Sequence, residues 1–162
     1  MRLPDLGVGT PAPTGGPRLL GEVLSSGLAD PAVCEAAGRV LIVSSRFNAW
    51  ATGDGLTEAG GGELARMSAD VDAGWSAVHA AWRDLVRRQD ESAAARRAIT
   101  TAVGMSVRER IAAYRTADAE AGLDEARSTL TTELAALTAR YEALPHRGSW
   151  DPAAGTGDRP GS

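Results

Sequence analysis

The stretch ELARMSADVDAGWSAVHAAWRDLVRRQ, from Glu63 to Gln89, decides the fold of this chain. Its larger side chains recur at steps of three and four residues, which is the period of one face of an α-helix. The members of this stripe are Leu64, Met67, Val71, Trp75, Val78, Trp82, Leu85 and Gln89. The stripe predicts a long helix that packs against others in an antiparallel arrangement or a coiled coil.

A second helix is predicted before this stretch. Asp30 can cap a helix, and Pro31 suits its first position, so we expect a helix from about Asp30 to about Trp50. The following residues, 51–62, contain five glycines and are predicted to form a loop.

A third helix is predicted after it. Gly104 suits the end of the central helix, and Ser106 with Glu109 matches a capping box that begins the next one. Gly122 is expected to weaken or kink this helix, and Pro145 to end it. Its second half carries an apolar stripe made of Leu130, Leu134, Leu137, Tyr141 and Leu144. The fold class predicted from these patterns is all-α: a long antiparallel helical hairpin or a three-helix bundle with disordered N- and C-terminal tails.

The domain organisation follows from the glycine- and proline-rich ends. We expect a flexible segment at 1–28, with a short helical turn within 18–28, a helical bundle at 29–145, and a disordered tail at 146–162. The seventeen basic residues are all arginine, which is typical of a GC-rich coding sequence and suggests an actinobacterium or its phage. A net charge of -4 argues against nucleic acid or an anionic membrane as the main partner.

The cellular compartment expected for the protein is limited because the sequence shows neither a signal peptide nor a membrane-spanning run. Residues 1–17 have no apolar core of a signal peptide, and the longest apolar run, Val40 to Val43, is too short to span a bilayer. Cys34 is the single cysteine, so an internal disulfide is excluded. We expect a protein that is either cytoplasmic or exported without a cleaved signal peptide.

The sequence shows no recognisable set of catalytic residues. Metal-binding spacings of histidine, cysteine and glutamate do not occur, so neither a metal nor another cofactor is expected. His79 lies between Trp75 and Trp82 on the central helix, where a structural role is favoured over a catalytic one. The chain is therefore predicted not to be an enzyme, and a small enzyme using His79 with an unidentified acid is the weakest alternative.

The aromatic stripe of the central helix has two interpretations. Trp75, Val78 and Trp82 are either core residues of this chain or an exposed seam that packs against a partner helix. In the second case the partner is another helical protein or a second copy of the chain, giving a heterodimer or a homodimer.

Tyr114-Arg-Thr-Ala-Asp118 is the most informative motif for function. Tyrosine and aspartate four residues apart leave the same helical face and can be read together by a partner. Asp118 interrupts an apolar stripe that includes Val107 and Ile111, so it must be either paired with an arginine or exposed.

The phrase Ile111-Ala-Ala-Tyr-Arg-Thr-Ala-Asp-Ala-Glu-Ala121 resembles the substrates of type VII (ESX) secretion, especially their excreted, ESX-associated branch. The resemblance implies an export signal carried by Tyr114 and Asp118, secretion without a cleaved signal peptide, and pairing of helical hairpins into dimers. It also implies contact with a secretion ATPase or a chaperone. The Trp-x-Gly motif of that family is absent, because Trp50 is followed by Ala51 and Thr52 before any glycine. The alternative function is that of a cytoplasmic or phage-encoded helical structural protein, in which Tyr114 only packs.

Overall fold

The computed structural model describes residues 16–156, and within this range the chain forms helices and no strand. The all-α class is therefore confirmed, but the helices outnumber those of a hairpin or a simple three-helix bundle. In chain order they are α1 (Gly16–Ser25), α2 (Pro31–Ala51), α3 (Gly55–Glu58), α4 (Gly61–Thr101), α5 (Val107–Ala121), α6 (Leu123–Glu142) and α7 (Arg147–Trp150), followed by a 3-10 turn at Ala154–Thr156.

The core is built around α6, which packs against both α2 and α4. Its Leu130, Leu134 and Leu137 are completely buried. Each such side chain contributes roughly 1.5–3 kcal/mol when it is taken out of water. α6 runs antiparallel to α4, because Gly74 of α4 faces Leu137 while Arg88, further along α4, faces the beginning of α6.

Two helix starts form as the sequence predicts. The Asp30 carboxylate accepts a hydrogen bond of 2.8 Å from the backbone N–H of Val33, which caps α2. Ser106 and Glu109 accept hydrogen bonds from each other's backbone N–H at the start of α5, so the predicted capping box is confirmed. These local contacts fix where α2 and α5 begin.

The helix predicted from Val107 onward is two helices. Gly122 adopts a left-handed conformation with φ of 67°, which ends α5 and lets α6 leave in a new direction. The Arg88 guanidinium donates hydrogen bonds to the carbonyl oxygens of Ala121 and Gly122, at 3.4 and 3.3 Å. The predicted kink is thus a complete break between two helices, and Arg88 of α4 is hydrogen-bonded to it.

The predicted N-terminal boundary is wrong, because packing begins well before residue 29. Leu20 and Val23 of α1 are buried in the core, although 18–28 was expected to be a short turn in a flexible segment. The predicted loop at 51–62 likewise contains the single turn α3. The expectation for residues 1–15 lies outside the described residues.

The predicted C-terminal boundary is also wrong, since the chain after Pro145 folds back on α2. Trp150 is buried and meets Phe47 edge-on, with ring centroids 5.7 Å apart. Asp151 is buried and forms ion pairs with Arg46 and Arg147, at 2.9 and 3.0 Å. The expected disorder of residues 157–162 lies outside the described range. No helix within the described range is both long and apolar enough to cross a membrane.

Candidate functional site

The candidate site lies on the α4–α5 hairpin, which we define as residues 92–121. α6 begins opposite Arg88, so the part of α4 beyond that point has α5 as its main neighbour. Ala117 is the single buried residue of α5. Because so little apolar surface is buried here, the polar contacts between α4 and α5 decide the geometry of the hairpin.

Asp118 is tied to α4 by a two-pronged ion pair. Arg96 donates from Nε to one carboxylate oxygen, at 2.9 Å, and from Nη2 to the other. The hydroxyl of Ser92 donates a further hydrogen bond of 2.6 Å. The hydrogen bonds from Arg96, followed by the one from Ser92, lower the pKa of Asp118 from 3.8 to about 2. Of the two alternatives expected for Asp118, the structure shows the arginine pair.

Tyr114 is held by the same arginine. The Arg96 guanidinium lies 5.3 Å from the centroid of the Tyr114 ring, in a cation–π arrangement. The Tyr114 hydroxyl shares a hydrogen bond of 2.7 Å with the hydroxyl of Thr100. We call the five residues Ser92, Arg96, Thr100, Tyr114 and Asp118 the Arg96 clasp.

The chemistry of the clasp suits recognition rather than proton transfer. A carboxyl group with a pKa of about 2 stays ionised near neutral pH, so Asp118 is a poor general acid or base. Its side chain is 34% exposed and that of Arg96 48% exposed, so both charges remain accessible to a partner. The two motif residues are therefore presented in one fixed arrangement and not as free side chains.

The three residues proposed as a partner-packing seam belong to the core of this chain. Val78 and Trp82 are buried, and Trp75 packs against the core while its indole N–H donates a hydrogen bond of 2.9 Å to the Tyr141 hydroxyl. The Trp75 ring is also covered by Gly16 of α1. These contacts are incompatible with a seam exposed to a partner, and they support the interpretation as core residues.

His79 lies outside the core, although it stands between Trp75 and Trp82 in the sequence and was expected to have a structural role. It is exposed and lines a small cavity of about 180 Å³ with Arg18, Glu22 and Trp75 among its neighbours. Among residues 16–156 the histidine that pairs with an acid is His146, 3.3 Å from Glu63, and not His79; no group of three or more His, Cys, Asp or Glu side chains gathers around a point where a metal could bind.

Sequence reasoning missed the α4 half of the clasp. Ser92, Arg96 and Thr100 follow each other at intervals of four, which places them on one face of α4. That spacing is visible in the sequence, but only the tight turn at Gly104 brings this face against Tyr114 and Asp118. The neighbouring Arg87 and Arg88 form a mixed-charge surface, because both pair with Asp84.

Comparisons of the chain with protein-family models, with curated proteins and with solved structures gave no match.

Proposed function

We propose that this chain is a non-enzymatic helical protein that is exported by, or associated with, a type VII secretion system and acts through protein–protein contacts. In this proposal the α4–α5 hairpin is the part that the export machinery recognises. The observation that carries it is the Arg96 clasp, which holds Tyr114 and Asp118 side by side on a hairpin that extends beyond the start of α6. The Tyr-x-x-x-Asp resemblance supplies the link to this secretion route.

The geometry makes the folded clasp, rather than an extended peptide, the recognised unit. Tyr114 and Asp118 both depend on Arg96 for their orientation. A partner that reads them also meets the Arg96 guanidinium, because the Arg96 side chain is 48% exposed. Losing Arg96 should therefore impair recognition even though it lies outside the Tyr-x-x-x-Asp motif.

Export of a tagged chain from an actinobacterial host with an active type VII system tests the proposal. Wild type is compared with Tyr114→Ala, Asp118→Ala and Arg96→Ala, after circular dichroism has shown that each variant stays helical. Glu120→Gln, an exposed acid on the same helix, is the matched control. We expect wild type and the control in the culture filtrate and the three clasp variants in the cells. Wild type retained in a competent host would refute the proposal.

The alternative of a cytoplasmic or phage-encoded structural protein has one observation in its favour. Tyr114 and Asp118 both form hydrogen bonds with α4 side chains, as residues that only stabilise the hairpin would. Exchanging the charges, with Arg96→Asp and Asp118→Arg together, keeps the ion pair but moves the carboxylate to α4. If this folded double variant is exported like wild type, the pair only braces the hairpin; if it is retained, the position of the carboxylate is being read.

A further inference from the structure

The α4–α5 hairpin has a second exposed surface, formed by the loop after α4 and the first turns of α5. Val103, in the connecting loop, is 99% exposed, and Val107 at the start of α5 is 77% exposed. These are the two most exposed large apolar side chains of the described residues, and Ile111, one turn further along α5, is 47% exposed. A contiguous group of exposed aliphatic side chains is a candidate for protein contact.

The exposed residues of α5 border a shallow groove that has a basic rim. Val107, Ile111 and Ala112 supply its apolar floor, Arg108 and Arg115 supply its polar edge, and its volume is about 440 Å³. None of its lining residues is acidic.

The two arginines of the rim have no carboxylate partner in the part of the chain that the structure describes. Within residues 16–156 neither Arg108 nor Arg115 forms a hydrogen bond or an ion pair, whereas Arg87 and Arg96 are paired with carboxylates. The acids of α5 closest to the clasp and the cap are already engaged, because Asp118 binds Arg96 and Glu109 caps the helix. An acidic partner would therefore meet two arginines that are not already engaged in an ion pair.

We propose that this groove binds an amphipathic helix of another protein, one that carries an aliphatic stripe flanked by carboxylates. Val107 and Ile111 are one helical turn apart, which is the spacing at which a partner helix inserts its own aliphatic residues. Arg108 and Arg115 are seven residues apart, about 10 Å along the helix, and match acids one heptad apart on the partner.

A second copy of the same groove is a poorer occupant. Pairing two copies face to face would bring four unpaired arginines to one interface, and like charges brought together oppose binding. The inference concerns residues of α5 that are not members of the Arg96 clasp. It does not rest on export by a type VII system.

The test uses the full-length chain labelled with ¹⁵N and two synthetic amphipathic helices of equal length. One peptide has leucines along one face and glutamates on both flanks, and the other has lysines in place of the glutamates. We expect the glutamate peptide to shift the amide signals of residues 107–115 and to bind at least about tenfold more tightly than the lysine peptide. Ile111→Ser should abolish this binding, while Ile42→Ser, an exposed aliphatic residue on α2, should leave it unchanged.

Charge reversal gives the decisive comparison. The double variant Arg108→Glu with Arg115→Glu should prefer the lysine peptide over the glutamate peptide, provided that circular dichroism shows an unchanged helical content. No binding of the glutamate peptide to wild type, equal binding of the two peptides, or signal shifts confined to other helices would overturn the proposal. Binding that survives Ile111→Ser would overturn it as well.

Discussion

The ion pair between Arg96 and Asp118 should account for a measurable part of the stability of the α4–α5 hairpin. α5 buries one residue, so polar contacts do most to hold it against α4; besides this pair they include the hydrogen bonds that Arg110 donates to the carbonyl oxygens of Thr100 and Ala102. We consider the single variants Arg96→Met and Asp118→Asn and the double variant. Methionine keeps the apolar stem of arginine, and asparagine keeps the shape of aspartate, so the cycle isolates the charge interaction.

The magnitude follows from the pKa of Asp118, which falls from 3.8 to about 2 in the folded chain. A shift of that size corresponds to about 2 kcal/mol for a fully sheltered carboxylate, and part of it comes from the Ser92 hydroxyl rather than from Arg96. The Arg96 and Asp118 side chains are 48% and 34% exposed, however, and water screens their attraction. We therefore expect a coupling free energy of about 1 kcal/mol at neutral pH.

The sign of the pH dependence is fixed by the direction of the shift. The pKa of Asp118 is lower in the folded chain than in the unfolded one, so the stabilisation is complete above the unfolded value and is lost as the pH falls from about 4 to about 2. Urea denaturation of the four proteins, followed by circular dichroism at pH 7 and pH 2, measures the coupling at both ends of this range. A coupling below about 0.3 kcal/mol at pH 7, or one that persists unchanged at pH 2, would refute the reasoning.

Three further predictions concern urea unfolding of the whole chain. Gly122→Ala should lower the free energy of unfolding by about 1–2 kcal/mol, because its φ of 67° is strained for alanine and the new methyl group meets a guanidinium of α4. The control Gly38→Ala places its methyl group in open space within α2 and should be neutral or stabilising. Equal effects of the two substitutions would argue against the left-handed break. Leu134→Ala should cost about 2–5 kcal/mol by leaving a cavity in the core, against under about 0.5 kcal/mol for the exposed Ile42→Ala. Trp150→Ala should cost about 3 kcal/mol, and a change near zero would show that the chain after Pro145 is not part of the fold.

Local signals in the sequence predicted the long helices well. Asp30 and Ser106 each cap a helix by a hydrogen bond to a residue three positions away, so the starts of α2 and α5 depend on short-range contacts alone. The stripe through Leu130 and Leu137 repeats often enough to show which face of α6 is buried. Such features need no knowledge of the rest of the chain.

Contacts between distant residues account for what the sequence did not predict. α7 is four residues long, too short to show a period, and Trp150 stands among glycines and prolines whose composition suggested disorder. The partner of Asp118 is 22 positions away, so no spacing rule identifies Arg96 among seventeen basic residues. The break at Gly122 was visible as a weak point, but the arginine that bonds to it, Arg88, is 34 positions away in the sequence.

The positions of the four tryptophans make the core and the α4–α5 hairpin distinguishable by fluorescence. Trp50, Trp75, Trp82 and Trp150 all precede or follow the α4–α5 hairpin in sequence, and each contacts the core formed by α1, α2, α6 and the first half of α4. Intrinsic tryptophan fluorescence should therefore report the melting of that core and stay silent when α5 detaches from α4. Far-ultraviolet circular dichroism records helix loss in both parts, so an unfolding curve that begins earlier by dichroism than by fluorescence would reveal a hairpin that opens while the core remains intact.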